Sequence, residues 1–449
     1  MSDDRRTRLK RWLESGEVSL QQLTFPQREL WEASPIPVAH RSNYICTFIE
    51  VRGLLTSEDC EMAIQGVVNR QEVMRLSILP GKDQPLQMIR ASGSPQMRYR
   101  PLSPPERQPE AIEELMQQAF SEPFDLVQGP LYRVNVLRKS ADDHLLVLTI
   151  HHAIADGWSL GTFVQDLCAA HAVRKMGASG GLPPVQLSYG AWGAAERAFW
   201  QRGEIDQRVP FWQSQLAGAN RLWAGLVDAE VMNEPLQRSV SQLPANLGRA
   251  ARELARRNGV TLFSTLLVVF RMALARWTGA KDVVVGTPVA NRNKQAVRET
   301  MGYCSGVVPL RADIEHDRPF PEALRAVHQS AIDSFAHAIP FVELVRALGD
   351  LPLPGHTPIF DVRFALQNHP VPDAVVQGMS FKLRMRSTGT ARFHLGCEIT
   401  ENGEALEVVW LFRPKLFPKE EIQDLGTLFE SVLTYVVCMP DSRPAALTI

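Results

Sequence analysis

Two histidines, an acid and a glycine lie within seven residues: His151-His152-Ala153-Ile154-Ala155-Asp156-Gly157. Imidazole accepts and returns a proton near neutral pH, which is the work of a general acid–base. Consecutive side chains of an extended segment point to opposite sides, so one histidine can face packing and its neighbour a cleft. Asp156 stands four residues beyond His152, in a predicted turn. It either orients an imidazole or anchors the loop through an arginine, and periodicity leaves both roles open. Gly157 lets the backbone turn or pack closely. Ser159 is the predicted cap of the helix LGTFVQDLCAAHAV, whose positive end then lies near the same loop. A metal reading lacks a third ligand at any recognisable spacing, and a purely structural histidine pair is the other alternative. No G-x-S-x-G elbow occurs, and no cysteine has a protease-like surround. There is also no Walker A sequence and no G-x-G-x-x-G after a strand. A base with neither nucleophile nor cofactor motif points to direct transfer between two bound substrates.

The element that must hold these residues is the nearly all-apolar run HLLVLTI, which ends at His151. It reads as the second arm of a hairpin turning at Lys139 to Asp143, and as a strand covered on both faces. Such a strand is a rigid mount for a reactive side chain. YICTFIEV, from Tyr44 to Val51, reads as another strand. Ser57 opens a predicted helix with Ala63, Val67 and Met74 at helical spacing. PLSPPERQP (101–109) is a loop, with a helix over 110–120 after it. KMGASGGLPP (175–184) is the clearest candidate boundary. Beyond it come a basic helix near 247–257, a break at Asn258-Gly259, a helix over 262–277 that Thr261 can cap, and the strand DVVVGTPV. Helix followed by strand in both halves predicts an α/β protein of two lobes, 1–180 and 181–449.

The bulk numbers agree. A chain of 449 residues exceeds the usual limit for one core. Its 48 Lys and Arg against 49 Asp and Glu give a net charge of -1, so there is no polyanion footprint and nucleic acid is a poor partner. Cysteines 46, 60, 168, 304, 397 and 438 have neither zinc-finger nor thioredoxin spacing, which fits a reducing compartment. The N-terminal residues lack a secretory apolar stretch. The most apolar run, Leu262 to Phe270, is too short to span a bilayer, so no stable membrane insertion is expected and the cytoplasm is the default.

HHAIADG matches the H-H-x-x-x-D-G signature, and the chain resembles the condensation domains of nonribosomal peptide synthetases, within the chloramphenicol acetyltransferase-like superfamily. The companion blocks follow in family order: PQRELW (26–31), NRQEVMRLSI (69–78), PFDLVQGPLYRV (123–134), YGAW (189–192), FWQSQLAG (211–218), VVVGTPVANR (283–292), MGYCSGVVPLR (301–311), HAIPFVELV (337–345) and PIFDVRFALQN (358–368). The resemblance runs from about residue 20 to about residue 440.

It implies two chloramphenicol acetyltransferase-like lobes in a V-shaped, pseudo-dimeric arrangement around a central tunnel. It makes His152 the catalytic histidine, His151 structural, and Gly157 the residue that keeps the loop tight. Asp156 is expected to pair with an arginine of the second block, Arg70 first and Arg75 second. Trp158, Tyr303 and Gln367 are candidate tunnel-lining groups. The implied reaction moves an acyl or aminoacyl group from a carrier-protein thioester to an amine or hydroxyl, forming an amide or ester. No cofactor is bound intrinsically; the substrate arrives on the carrier's phosphopantetheine arm. The absence of adenylation and carrier segments implies a free-standing, monomeric unit. It would meet its acyl or peptidyl carrier donor in trans, with a second carrier or a free small molecule as acceptor. Arg249, Arg252, Arg256 and Arg257 either meet an acidic carrier or form a solvated helix face. Departures from the family pattern are Gln71 for the usual histidine, Ser77-Ile78 for Thr-x-Phe, and Ser305-Gly306-Val307 for Val-Asn-Thr. They leave the acceptor pocket open to unusual chemistry. The alternatives are an epimerase-like relative, a wax-ester-type acyltransferase and a non-catalytic recruitment module.

Overall fold

A computed structural model of the chain describes residues 3–443 apart from 83, 178–179, 224–235, 313–318, 351–357, 368–372 and 389–392. Ala178 and Ser179 of the candidate boundary, and Asn368 of the PIFDVRFALQN block, lie outside the described residues.

The apolar run of the predicted hairpin becomes the strand Asp143–His151. It pairs antiparallel with Tyr44–Arg52 on one side and with Tyr132–Arg138 on the other. Leu145, Leu146, Val147, Leu148 and Ile150 are all buried. A strand apolar on successive residues is stable only with both faces covered, and both are packed here. The six-stranded sheet around it runs Ala374–Val376, Met379–Thr388, Tyr44–Arg52, Asp143–His151, Tyr132–Arg138, Met97–Pro101. Its first two strands come from the C-terminal half, with Phe381 opposite Val51. A cut at residue 180 therefore separates these two strands from the rest of their sheet.

The second six-stranded sheet is ordered Gly306–Leu310, Val285–Val289, Val362–Gln367, Leu395–Asn402, Ala405–Phe412, Gln237–Leu243. Val362–Gln367 runs parallel to both of its neighbours, and the remaining pairs are antiparallel. A three-stranded sheet of Val18–Gln22, Leu86–Arg90 and Leu76–Leu79 completes the set.

The helices start where side-chain oxygens can satisfy open amides. Thr261 caps Leu262–Thr278, whose residues from Ser264 to Ala275 are all buried, and the helix closes on left-handed Gly279. The helix expected to open at Ser57 runs Ser57–Arg70 and is capped by Thr56, with Asp59 completing a reciprocal box. No single described helix is long and apolar enough to cross a membrane.

Candidate active site

At the end of the buried strand the chain tightens into a short turn, His152–Ile154, and then enters the helix Gly157–Lys175. This sharp exit sends the two histidine rings to different surroundings. The Nδ1 of His151 accepts from the Ala153 N–H at 3.0 Å, so its proton sits on Nε2, which donates to the Val38 carbonyl at 2.9 Å. Burial drives its pKa down to about 4, against a smaller upward pull from the Val38 carbonyl. The His151 ring is thus buried and bonded on both nitrogens.

His152 has a different partner. Its Nδ1 lies 2.8 Å from the Ala155 carbonyl, which can only accept, so Nδ1 carries the proton. In the neutral ring Nε2 is then the basic nitrogen. The ring packs 4.2 Å from that of Tyr303 and lines a cavity of about 980 Å³. Residues of both halves form the cavity wall, including Ile45, Asp156, Gly157 and Trp158 from the first, and Val289, Ser305, Gly306 and Gln367 from the second. Trp158, Tyr303 and Gln367 all line this cavity. Trp158 donates its indole N–H to the Arg298 carbonyl at 2.8 Å, which fixes its ring. Gly157 is the first helical residue and has no positive φ. It lies on the cavity wall.

The expected pairing of Asp156 with Arg70 or Arg75 is overturned. The Asp156 Oδ2 accepts from Arg292 Nη1 at 2.7 Å and from the backbone amides of Cys304 and Ser305 at 3.1 and 3.0 Å. Its Oδ1 takes the Ser159 amide at 3.0 Å and the Ser159 hydroxyl at 2.9 Å. Asp156 itself is thus the helix cap, and Ser159 answers it from the third helical position instead of capping the helix alone. Burial opposes ionisation most strongly, but the Arg292 charge and these hydrogen bonds outweigh it and hold the carboxyl below its ordinary range.

Arg70 instead pairs with Asp166 and, at 2.6 Å, with Glu299. Arg75 donates to the carbonyls of Val68, Arg90 and Ala91. Arg292 closes the block VVVGTPVANR, so its position was in view, but no local spacing links it to Asp156 136 residues away. Gln71 was another missed contributor. It donates to Asp166 and to the Glu299 carbonyl, and accepts from the Met301 amide, tying the first half to the loop beside Tyr303. Among the described residues no three of His, Cys, Asp or Glu gather to hold a metal ion.

The condensation-domain family model matches residues 19–449. The chain belongs to the condensation-domain family. These domains are acyltransferases that form amide bonds in peptide synthetases. This condensation domain is 30% identical over 442 residues to phosphinothricin tripeptide synthetase PhsC of Streptomyces viridochromogenes, covering 95% of the chain and 40% of the relative. Against one of the linear gramicidin synthase polypeptides of Brevibacillus parabrevis it is 29% identical over 452 residues, 97% of the chain and 9% of the relative. The chain thus spans less than half the length of either relative.

The fold matches the X-domain from teicoplanin biosynthesis with a TM-score of 0.81 at 21% identity, over 95% of this chain and 97% of that one. It matches the first condensation domain of the calcium-dependent antibiotic synthetase, solved with a substrate analogue, with a TM-score of 0.81 at 18% identity, over 96% and 99%. The helix arginines expected to meet either a carrier or solvent lie at the surface, Arg249, Arg256 and Arg257 well exposed and Arg252 partly so, and each pairs with an acid of the chain. Arg249 bonds Glu404, Arg252 bonds Glu401, and Arg256 and Arg257 share Glu253.

Proposed function

We propose that this condensation domain transfers an acyl or aminoacyl group from a carrier-bound phosphopantetheine thioester to an amine, with His152 as the residue at the reacting atoms. One observation carries the reading. The Ala155 carbonyl fixes the proton on His152 Nδ1, which leaves Nε2 as the base on a ring that lines a cavity shared by both halves.

An attacking amine that hydrogen-bonds Nε2 is oriented toward the thioester carbonyl and raised in nucleophilicity. The new N–C bond forms and the C–S bond breaks. The amine's proton passes through Nε2 to the departing thiolate, which leaves as the carrier's thiol. A hydroxyl nucleophile follows the same path to an ester. Asp156 never touches substrate in this scheme, because both its oxygens are committed to Ser159, Arg292 and the 304–305 amides. Its part is to hold the His152 loop against the second half. The acyl carrier is a transient partner, with contacts of modest area. The unpaired cysteines suit the cytoplasm, whose thiol pool keeps them reduced.

The experiment is a mass-spectrometric assay of acyl loss from loaded candidate carriers, offered a panel of amines and alcohols. Condensation gives product whose mass equals acyl plus acceptor, dependent on this domain. Carrier binding with no acyl loss across the panel supports a recruitment role instead.

A further inference from the structure

The cavity is lined by Leu383, Arg384 and Met385 of Met379–Thr388 and by one face of the second sheet, whose register gives a map. Arg363, Ala365 and Gln367 lie opposite Gly396, Glu398 and Thr400, and Glu398 and Thr400 lie opposite Val409 and Glu407. Successive same-face positions are two residues apart. The strand Val285–Val289 runs parallel to Val362–Gln367 and leads into Arg292, the partner of Asp156. The Gln367 end of the face is therefore the end toward His152. Arg363 stands four residues, or about 13 Å, farther along.

A charged pair occupies that far position. Arg363 Nη1 donates to Glu398 Oε1, and both side chains are about nine-tenths buried yet on the cavity wall. The Arg363 guanidinium also lies 5.5 Å from the centre of the Phe393 ring. An ion pair so little hydrated costs desolvation, and apolar residues of equal volume would hold the sheet at least as well. Among the described residues Glu398 accepts no other side-chain hydrogen bond than that from Arg363, and a carboxylate has about four acceptor sites. Glu407 lies diagonally across from it on the same face. Among the described residues Glu407 joins Glu398 on the cavity wall, so two carboxylates on this face stand against the one Arg363 guanidinium.

Resting on the acyl-transfer reading above, we propose that Glu398, positioned by Arg363, determines substrate specificity. It selects a substrate whose side chain ends in an ammonium or guanidinium that donates hydrogen bonds to its carboxylate. A site built to receive such donors rejects an analogue lacking them more strongly than an apolar pocket rejects a shape change. The cationic group can ride on the acceptor or on the acyl donor; the geometry is the same from either.

The test measures binding by calorimetry, using lysyl, norleucyl and glutamyl amides of aminopantetheine, which cannot be hydrolysed as thioesters. One set keeps a free α-amine and mimics acceptors; the other carries an acetylated α-amine and mimics donors. The wild-type domain should bind the lysyl member of one set at least tenfold more tightly than its norleucyl counterpart. Glu398→Gln should erase that preference while leaving norleucyl affinity within twofold. Replacing the pair with Arg363→Met and Glu398→Met keeps the volume apolar and should reverse the preference. Equal affinity for lysyl and norleucyl probes in the wild type, a preference that survives Glu398→Gln, or no binding of any lysyl probe overturns the inference. Because binding is read without turnover, a lysyl preference in a domain that transfers no acyl group leaves the selectivity standing and removes the acyl-transfer reading. Transfer without a lysyl preference does the reverse.

Discussion

The Asp156 carboxylate and the Arg292 guanidinium meet at 2.7 Å, both almost wholly buried, and join the histidine loop of the first half to the strand exit of the second. Arg292 also reaches the Gly302 carbonyl at 3.1 Å, and the Gly302 amide donates to the Ser159 hydroxyl at 3.0 Å. The loop carrying Tyr303, Ser305 and Gly306 is thereby fixed beside His152.

Removing one member of this pair leaves a buried charge without a partner. Asp156→Ala and Arg292→Ala should each cost about 3–5 kcal/mol in chemical denaturation. The double variant should cost much less than the sum. A cycle of Asp156→Ala with Arg70→Ala should be additive within about 0.5 kcal/mol, because Arg70 is bonded to Asp166 and Glu299.

Gly302 presses against Tyr189, and a Cβ there would lie 2.1 Å from its ring. Tyr189 cannot easily yield, since it is fully buried and its hydroxyl bonds Thr24 and the Tyr303 carbonyl. Gly302→Ala should therefore destabilise the fold by about 1–3 kcal/mol. The same substitution at Gly203, where a Cβ meets nothing within 4 Å, gives the backbone-only comparison.

The Tyr303 ring packs against that of His152, tilted by 48° with centroids 4.2 Å apart. Tyr303→Ala should lower kcat by about two orders of magnitude through misplacement of the imidazole. Tyr303→Phe keeps the ring contact and should lose far less. Steady-state kinetics on the folded variants separates the two.

His151 should make stability fall in acid. Its folded pKa of about 4 lies below the ordinary value of 6.5, so only the unfolded chain takes up this proton between those limits. The contribution is complete above pH 6.5 and is lost as pH drops toward 4, at up to about 1.4 kcal/mol per pH unit. Denaturation of wild type and His151→Gln across pH 7 to 4 should show a shallower slope in the variant. His144 and His171, also depressed by burial, add slope common to both proteins.

Much of this was legible in the residues. The apolar run ending at His151 announced a strand buried on both faces, because four apolar side chains in succession, Leu145 to Leu148, beside a hairpin turn must be covered from both sides. Thr261 announced its helix, since a hydroxyl just before an apolar run has one obvious use. The cavity positions of Trp158, Tyr303 and Gln367 came with the family resemblance. What stayed hidden depends on distant contacts. Which arginine meets Asp156 is decided by how the second half docks, so the expectation of Arg70 or Arg75 could not be checked against Arg292 from local spacing. The strand Met379–Thr388 belongs to the first sheet although it lies far along the chain, and no local pattern records such a crossing. The cap fell on Asp156 because its carboxylate can bond the Ser159 amide and hydroxyl together while still facing Arg292.

The central claim is that His152 Nε2 handles the nucleophile's proton. Its most direct measurement is the single-turnover rate of acyl transfer from a loaded carrier to the acceptor that the panel identifies, for wild type and His152→Ala, with both melting curves recorded. We expect the variant to melt like a folded domain and to transfer at least 100-fold more slowly, the usual scale for a lost general base. A folded His152→Ala protein that transfers at the wild-type rate would contradict it.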